Sequence, residues 1–287
     1  MLVPCFNEGA AIAKVVADFR AALPTATVYV YDNASTDDTA AVAALAGAEV
    51  RREDRRGKGN VVRRMFQDIE ADIYVMVDGD DTYDATAAPE LVERVLVDNL
   101  DMVVGRRVET HQAAYRAGHR LGNAVLTGLV RSLFGATIVD MLSGYRVFSR
   151  RFVKSFPSFS REFEIETELT VHAMQMRMPV AELDTDYKER PPGSVSKLRT
   201  FRDGWRILLT ITNLMRNERP LLFFWLLGVA LAVVAVVAGR PSAILYAVLC
   251  GVTGLVLDLV SHVRREAKRL AYLEYPAPRW NRPRKQT

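Results

Sequence analysis

The order of hydrophobic and polar residues divides the chain into an alternating part and an apolar part. Over the first 190 residues, short apolar runs such as 27–31 and 73–77 alternate with stretches such as 60–69, whose apolar residues share one helical face. Alternation of buried strands with helices is typical of a mostly parallel sheet that carries helices on both faces. The sequence therefore predicts an α/β domain over residues 1–199.

The first strand is predicted at the very start of the chain. Residues 1–4 indicate the end of a buried strand, and Asn7 and Glu8 follow it, where the pattern predicts that a helix begins. Inner strands usually begin further from the end of a chain than this one does. We therefore expect the native protein to carry a few more residues at its N-terminus.

Two apolar runs dominate the last third of the chain. Residues 221–238 and 243–257 contain no charged side chain, and the second run can be extended to residue 263. A helix that crosses a bilayer needs about 20 mostly apolar residues. Because only residues 239–242 separate the two runs, the sequence predicts a two-helix transmembrane hairpin over residues 220–263.

Charged residues around the two runs predict how the hairpin is oriented. Arg216 and Arg219 precede the first run and a basic segment follows the second, whereas the turn between them carries only Arg240. Basic residues tend to stay on the cytoplasmic side of a membrane. We therefore predict an integral membrane protein with two spans, whose N-terminal domain and both chain ends are cytoplasmic.

Two further segments flank the hairpin. Residues 200–219 predict an amphipathic interfacial helix, because Phe201, Trp205 and Leu208 share a face that excludes Arg202 and Arg206. A helix packed on the soluble domain is the alternative for this segment. Residues 264–287 predict a basic cytoplasmic tail, which suits an anionic membrane surface, although a merely solvated tail fits equally well.

Composition limits the classes of protein that fit. The 287 residues, of which 49% are hydrophobic and 25% charged, leave room for one large domain and a small second unit. The two cysteines, Cys5 and Cys250, exclude a disulfide framework and a thiolate metal site, which fits a reducing compartment. The excess of positive charge lies after residue 263 without interleaved aromatic residues, so nucleic-acid binding is not favoured.

Polar clusters follow several predicted strands, at the edge of the sheet where ligands of α/β proteins bind. The sharpest cluster is the segment 78–81, in which a buried strand ends in Asp78, Asp80 and Asp81. Asp78 and Asp80, separated by one small residue, can both reach a hard divalent ion such as Mg²⁺ or Mn²⁺. Such an ion also binds a diphosphate and neutralises charge on it. Taken alone, the cluster fits a capped turn at least as well.

Six motifs occur together in a fixed order. They are PCFNE at 4–8, DNASTD at 32–37, GKG at 57–59, DGD at 78–80, VGRR at 104–107 and DMLSGYR at 140–146. In this order they resemble the inverting family-2 glycosyltransferases of the GT-A fold, over roughly residues 1–200. More narrowly, the chain is similar to the polyprenyl-phosphate glycosyltransferases, the group that includes the dolichol-phosphate mannose synthases.

The resemblance implies a reaction and a set of site residues. It implies metal-dependent transfer of one sugar, with inversion, from a UDP- or GDP-hexose to a polyprenyl phosphate at the cytoplasmic membrane face. The implied donor site consists of Pro4, Asn7, Glu8, Asp32, Lys58 and Asp78, with Asp32 at the base and Asp78 and Asp80 holding the metal. Asp80, Asp140 and Arg107 are the implied catalytic residues, and Arg190, Ser196 and Lys197 the implied ligands of the acceptor phosphate.

The chain departs from the family pattern at two places. Asp81 and Thr82 stand where the lipid-phosphate group usually offers a Gln-type metal ligand, and Asn33 replaces the commoner Asp of the nucleotide motif. These departures leave the completion of the metal shell and the base preference open. If the acceptor is a hydroxyl rather than a phosphate, Asp140 becomes the candidate base.

Other functions remain open at the level of sequence. One is transfer to a different lipid or glycan acceptor, and another is a membrane scaffold that keeps a non-catalytic nucleotide-sugar fold. The retained residues Asp78, Asp80, Asp140, Arg190 and Lys197 argue against the scaffold. Association of several copies through the hairpin is also left open.

Overall fold

The structure is a computed structural model, and it describes residues 1–109, 127–128, 131–132, 135, 138–157, 164–191 and 200–278. The strands are β1 (Leu2–Cys5), β2 (Tyr29–Asp32), β3 (Glu49–Arg52), β4 (Ile73–Met76), β5 (Met102–Glu109), β6 (Arg146–Ser149) and β7 (Val180–Tyr187). The helices of the domain are α1 (Ile12–Ala22), α2 (Thr39–Leu45), α3 (Lys58–Asp68), α4 (Ala88–Val97), α5 (Arg150–Ser155) and α6 (Ile165–Gln175), with a short 3₁₀ turn at Ala85–Ala87. Three helices follow, which are α7 (Thr200–Glu218), α8 (Pro220–Val237) and α9 (Ser242–Leu273).

The seven described strands form one sheet in the order β3-β2-β1-β4-β6-β5-β7. β6 is antiparallel to both of its neighbours, and every other pairing in the sheet is parallel. The prediction of a mostly parallel α/β sheet is therefore confirmed. Because β6 runs the other way, Arg146 at its beginning lies opposite Met76 at the end of β4. The segment that leads into β6 thus meets the carboxyl ends of the parallel strands.

Helices cover both faces of the sheet, as the continuous apolar strands require. On one face, Val3 and Val75 pack in a core with Ile12 and Phe19 of α1. On the other face, α3 buries Val61, Val62, Met65 and Phe66 against a core that includes Leu2 and Tyr31. Adjacent residues of β1 serve opposite cores, since side chains alternate along a strand.

The first helix begins later than the sequence predicts. Asn7 has φ of 53°, in the left-handed region that a helix does not contain, and α1 starts only at Ile12. Residues 6–11 therefore form a loop at the end of β1 rather than the first turn of a helix. The sequence pattern also predicts a helix over residues 112–134, and this segment falls almost entirely outside the described residues.

α8 and α9 form the predicted apolar hairpin, and they are the two described helices long and apolar enough to cross a membrane. The 18 residues of α8 span about 27 Å at 1.5 Å per residue. Two glycines bring the helices close, since a Cβ on Gly228 would lie 3.1 Å from the carbonyl oxygen of Ala247, and one on Gly254 would lie 3.1 Å from Cβ of Phe224. Small residues allow this close packing between apolar helices.

α9 does not end where the predicted hairpin ends. It continues through residues 264–273, which the sequence assigns to a basic tail, and reaches Leu273. Ala, Arg, Lys and Glu in this segment are strong helix formers, so the loss of hydropathy does not end the helix. Lys268 pairs with Glu218 of α7 at 3.0 Å, and Tyr272 Oη donates to Asp101 at 2.7 Å. The extension therefore packs on the α/β domain.

α7 exposes apolar side chains as the amphipathic prediction requires. Trp205 is 62% exposed and Leu209 is 50% exposed, whereas Ile211 is buried. The helix is thus packed on the protein along only part of its surface. The exposed apolar face is available to another apolar surface.

Candidate active site

Several sequence motifs meet at one edge of the sheet. Asn7 and Glu8 follow β1, Asp32 ends β2 and Asp78 follows β4 shortly after its last residue. Arg107 lies near the end of β5, and the segment 140–145 reaches the same edge because β6 is antiparallel. The topology therefore brings together residues that are more than 100 positions apart in the chain.

The loops after β1 and β2 are joined by hydrogen bonds. The backbone N–H of Asn7 donates to Ser35 Oγ at 2.9 Å, and Asn7 Oδ1 accepts from the N–H of Thr36 at 2.8 Å. The N–H of Glu8 donates to Thr39 Oγ1 at 2.9 Å. Pro4 lies three residues before Asn7, is buried within β1 and is in register with Tyr31 of β2.

Asp32 and Asn33 organise the neighbouring part of this edge. The carboxylate of Asp32 is buried and accepts from the N–H of Ser35 at 3.3 Å. The amide nitrogen of Asn33 donates to the carbonyl oxygens of Glu53 and Arg55 at 2.9 and 2.8 Å, and its oxygen accepts from Gly57 at 2.7 Å. A carboxylate has no hydrogen to donate, so only an amide makes this set of contacts. The departure from the family motif at position 33 thus has a structural reason.

Asp80 is the more buried of the two predicted metal ligands. Its side chain accepts from Thr82 Oγ1 at 2.6 Å and contacts a guanidinium nitrogen of Arg190 at 2.5 Å. Burial raises the pKa of Asp80, and the negative charge of Asp78 raises it further. A cation beside these two carboxylates would oppose both effects.

Asp78 is held by a lysine that it shares with another carboxylate. Lys58 Nζ contacts Asp78 Oδ1, and it also contacts Glu166 Oε1 at 2.5 Å. Burial alone lowers the pKa of Lys58, but the charges of Asp78 and Glu166 raise it above the ordinary value. Burial raises the pKa of Glu166, and the charge of Lys58 opposes that rise. Lys58 therefore stays an ammonium ion inside the site.

Glycines make room for the carboxylates. A Cβ on Gly79 would lie 2.5 Å from Sγ of Cys5, and a Cβ on Gly144 would overlap the carboxylate of Asp78. Both distances are too short for a real carbon atom. The DGD and SGY motifs thus need their glycines because other chain segments pass directly beside them.

Arg107 and Asp140 form a two-pronged ion pair at the far side of the site. Arg107 Nε lies 2.8 Å and a terminal guanidinium nitrogen 2.7 Å from the Asp140 oxygens, and the N–H of Arg107 donates to Asp140 at 3.1 Å. Glu182 accepts from the backbone N–H groups of Val139 and Asp140 at 2.9 and 2.8 Å. The guanidinium also lies 5.5 Å from the ring centre of Tyr187. Asp140 is therefore built to hold Arg107 in place.

Arg146 and Tyr83 support the segment that carries Asp140. Arg146 is fully buried and donates to the carbonyl oxygens of Met141 and Ser143 and to Thr170 Oγ1. The hydroxyl of Tyr83 accepts from the N–H of Gly144 at 2.9 Å. Burial raises the pKa of Tyr83 well above its ordinary value, so its phenol stays protonated.

The predicted site residues fall into two groups. Those brought to this edge are Pro4, Asn7, Glu8, Asp32, Lys58, Asp78, Asp80, Arg107, Asp140 and Arg190. Ser196 and Lys197 lie outside the described residues. Arg190 contacts Asp80 and lies 3.9 Å from Glu8, so it stands beside the segments that follow β1 and β4.

Sequence reasoning missed Glu166, Tyr83 and Arg146 as parts of this site. Arg146 is the last residue of the DMLSGYR motif, and its place in that motif could have identified it as part of the site. Glu166 lies in the first turn of α6, in a segment without any recognisable motif. Its contact with Lys58 follows only from the packing of α6 on α3.

Asp78 and Asp80 are the candidate metal ligands of this edge. Among the residues that the structure describes, no three His, Cys, Asp or Glu side chains lie together as a metal site. Two carboxylates with one small residue between them nevertheless suit a divalent cation whose remaining ligands come from a bound molecule. Mg²⁺ and Mn²⁺ are both compatible with these oxygen donors.

The fold and the site define a GT-A glycosyltransferase: a mostly parallel sheet with a DGD carboxylate pair at its carboxyl edge. The chain belongs to glycosyl transferase family 2, whose sequence model matches residues 1–156. The resemblance seen in the sequence is therefore confirmed, and the protein is a transferase.

Relatives agree along most of the chain. It is 32% identical to glycosyltransferase AglJ of Haloferax volcanii, over 96% of this chain and 97% of that one. It is 59% identical to protein RfbJ of Shigella flexneri, and this match spans 42% of this chain and 94% of that one. The dolichyl-phosphate hexose transferase of H. volcanii is 27% identical, over 75% of this chain and 92% of that one.

Solved structures share the fold. Glucosyl-3-phosphoglycerate synthase from Mycobacterium tuberculosis, in complex with Mn²⁺, UDP and glucosyl-3-phosphoglycerate, gives a TM-score of 0.59 at 22% identity. The match covers 75% of this chain and 77% of that one. A second structure of that synthase, with Mg²⁺ and UDP, gives a TM-score of 0.57 at 22% identity over 73% of this chain and 77% of that one.

Proposed function

We propose that this protein transfers one hexose from a UDP- or GDP-hexose to a polyprenyl phosphate at the cytoplasmic membrane face, with inversion at the anomeric carbon. One observation carries the proposal: Asp78 pairs with Lys58, Asp80 pairs with Arg190 and the Arg107–Asp140 pair lies at the same sheet edge, in a chain that continues into an apolar hairpin. This combination suits a phosphate-rich donor and an acceptor that is both anionic and lipid-bound. The similarity to a dolichyl-phosphate hexose transferase supports the choice of acceptor.

The donor nucleotide is assigned to the loops after β1 and β2. Asn7 and Glu8 would line the nucleotide pocket, and the carboxylate of Asp32 would accept hydrogen bonds from the base. Lys58 lies at the beginning of α3, on the side that faces Asp78, where it would meet the phosphates. UDP in the solved structures of the related fold supports a nucleotide-sugar donor of this kind.

Asp78 and Asp80 would hold Mg²⁺ or Mn²⁺ together with the donor diphosphate. The ion would supply Lewis-acid stabilisation of the nucleoside diphosphate as it leaves. Thr82 and Arg190 already orient Asp80 by direct contacts, and Lys58 orients Asp78. These contacts hold both carboxylates in place for the donor.

The transfer is a single displacement. An oxygen of the acceptor phosphate forms a bond to the anomeric carbon, the bond from that carbon to the diphosphate oxygen breaks, and its electron pair leaves with the nucleoside diphosphate. A phosphate monoester is already anionic near neutral pH, so the reaction needs no strong general base. Asp140 then serves to hold the guanidinium of Arg107 towards the phosphates or the sugar.

The acceptor phosphate is assigned to the segment that follows β7. Arg190 lies in the described part of this segment, and Ser196 and Lys197 precede α7 in the chain. In this proposal residues 1–199 form the catalytic domain, α7 lies in the membrane interface and the hairpin of α8 and α9 anchors the enzyme. The basic residues at the outer ends of the hairpin favour cytoplasmic placement of the domain and both termini.

The test is a transfer assay with the full chain in detergent, polyprenyl phosphate and a panel of labelled UDP- and GDP-sugars, with and without EDTA. We expect one donor to give a lipid-extractable product that EDTA abolishes. Asp80→Asn should reduce transfer at least a hundredfold, because it removes one of two metal-binding charges. Asp98→Asn, at the exposed residue that directly follows α4, is the matched control and should leave transfer unchanged.

Two other results would overturn parts of the proposal. Product formed only on a different lipid or glycan acceptor would retain the transferase chemistry and reject the polyprenyl phosphate. Normal lipid glycosylation in cells that carry Asp80→Asn would reject the catalytic account and favour a binding scaffold.

A further inference from the structure

A cavity of about 550 Å³ lies between the α/β domain and the C-terminal helices. Its lining includes Val180, the first residue of β7, together with residues from the ends of α6 and α7 and from the α9 extension. The candidate active site lies beyond the other end of β7, about 23 Å away at 3.3 Å per residue. The cavity is therefore separate from the catalytic edge of the sheet.

The lining of this cavity is positively charged. Arg177, Arg219 and Arg265 line it, and the carboxylate beside them belongs to Glu218. That carboxylate is already engaged through Oε1 with Lys268 at 3.0 Å, so it leaves an excess of positive charge from Arg177 and Arg265 in the lining. Guanidinium groups bind phosphate oxygens in a two-pronged geometry. The charge therefore suits an anion that carries phosphate.

Two buried polar atoms of lining residues lack a hydrogen-bond partner among the residues that the structure describes. One is Gln175 Nε2, a donor, and the other is Glu218 Oε2, an acceptor. Buried polar atoms without partners are costly, and each calls for a ligand atom or water. A phosphate oxygen satisfies the donor and a hydroxyl group satisfies the acceptor. Together the two atoms suit a molecule with both groups.

The position of the cavity indicates where such a molecule would come from. Arg219 directly precedes α8, and Arg265 lies on α9 two residues after the predicted end of the second span at residue 263. Resting on the membrane placement proposed above, both arginines stand at the level of lipid headgroups. Basic residues at this level attract anionic lipids of the cytoplasmic leaflet.

We propose that this cavity binds the headgroup of an anionic phospholipid that carries a hydroxyl group, such as phosphatidylglycerol. The phosphate lies against Arg177 and Arg265 and accepts from Gln175, and a headgroup hydroxyl donates to Glu218. The bound lipid joins α6 to the end of α7 and to α9. It thereby fixes the catalytic domain above the hairpin and stabilises the full chain.

The experiment is a thermal-shift titration of the full chain in neutral detergent. The probes are dioctanoyl phosphatidylglycerol, dioctanoyl phosphatidylcholine and glycerol 3-phosphate. Phosphatidylglycerol is expected to raise the melting temperature, while the other two probes do so only at concentrations at least tenfold higher. Arg177→Gln and Arg265→Gln are each expected to raise the half-maximal concentration of phosphatidylglycerol about tenfold, because each removes a charge-assisted contact to phosphate.

Arg269→Gln is the matched control, because Arg269 lies on the same helix outside the cavity lining and the substitution removes the same charge. It should titrate like the wild type. Arg265 also contacts the carbonyl oxygen of Glu218 and the ring of His262, so Arg177→Gln supplies an independent variant without these contacts. If Arg177→Gln has the same half-maximal concentration of phosphatidylglycerol as the wild type, the proposed site is rejected.

The three probes separate the sources of the anion. Equal potency of glycerol 3-phosphate overturns the lipid assignment in favour of a free phosphate ester, and equal potency of phosphatidylcholine overturns the requirement for negative charge. The titration contains no nucleotide sugar and no polyprenyl phosphate. The titration therefore tests lipid binding independently, even if the transfer assay gives no product.

Discussion

Lys58 and Glu166 form a buried ion pair at 2.5 Å, and the same ammonium group contacts Asp78. The side chains of Lys58 and Glu166 are only 10% and 5% exposed. One lysine thus links the motif that follows β4 to helix α6. The pair matters for function because it fixes the carboxylate that we assign to the metal.

Replacing Lys58 tests how much this linkage contributes to stability. Lys58→Met leaves the buried carboxylate of Glu166 and the partly exposed carboxylate of Asp78 without their cation, which costs about 3–5 kcal/mol and lowers the melting temperature by roughly 10 °C. The measurement is thermal unfolding of the full chain in detergent. Lys14→Met is the control, because Lys14 also contacts two carboxylates, Asp18 and Asp81, but is 55% exposed. Its melting temperature should change by less than about 3 °C, and equal losses in both variants would contradict the linkage.

Asp140→Asn tests whether Asp140 positions Arg107 or acts as a base. We expect kcat/KM to fall about tenfold to a hundredfold, because the amide weakens the contact to the guanidinium. The pH–rate profile should keep its shape, since a phosphate acceptor needs no base. Asp184→Asn is the control: it breaks the exposed pair with Arg106 and should change the rate less than about twofold. Loss of the acidic limb of the profile in Asp140→Asn would identify Asp140 as the base instead.

Asn33→Asp tests the structural reason for the departure from the family motif. The carboxylate cannot donate to Glu53 and Arg55, so we expect a loss of about 1–3 kcal/mol in unfolding free energy and weaker donor binding. Thermal unfolding and the KM for the donor measure the two effects. Asn60→Asp in the same region removes one exposed contact to Arg56 and should be nearly neutral. A fully active and stable Asn33→Asp would show that the amide contacts are dispensable.

The sequence predicts the sheet and most of the catalytic edge because both depend on local patterns. Continuous apolar runs mark β1, β2 and β4, and polar motifs follow directly after them. The antiparallel direction of β6 could not be predicted, since hydrophobic pattern is the same in either direction. The continuation of α9 beyond residue 263, to Leu273, could not be predicted for a related reason. Falling hydropathy marks the edge of a membrane span, but it does not mark the end of a helix.

Contacts between distant segments explain what else the sequence could not reveal. Glu166 reaches Lys58 only because α6 packs on α3, and no spacing rule connects the two positions. The three arginines of the cavity belong to three separate segments, one after α6, one before α8 and one on α9. The motifs identify the candidate site residues, whereas the residues that hold them in place are identified by packing.

Gly144→Ala tests whether the SGY motif serves to leave room for Asp78. The added Cβ would overlap the Asp78 carboxylate and push it away from the position that Lys58 and Asp80 define. We expect kcat to fall at least tenfold, because a displacement of about 1 Å in a catalytic group costs up to a hundredfold. The melting temperature should change far less than in Lys58→Met, since the carboxylate can still move towards solvent. Gly128→Ala is the control, because its Cβ would meet no atom within 4 Å, and it should retain wild-type transfer. Full activity of Gly144→Ala, measured in the same assay, would show that the position of the Asp78 carboxylate is not critical for transfer.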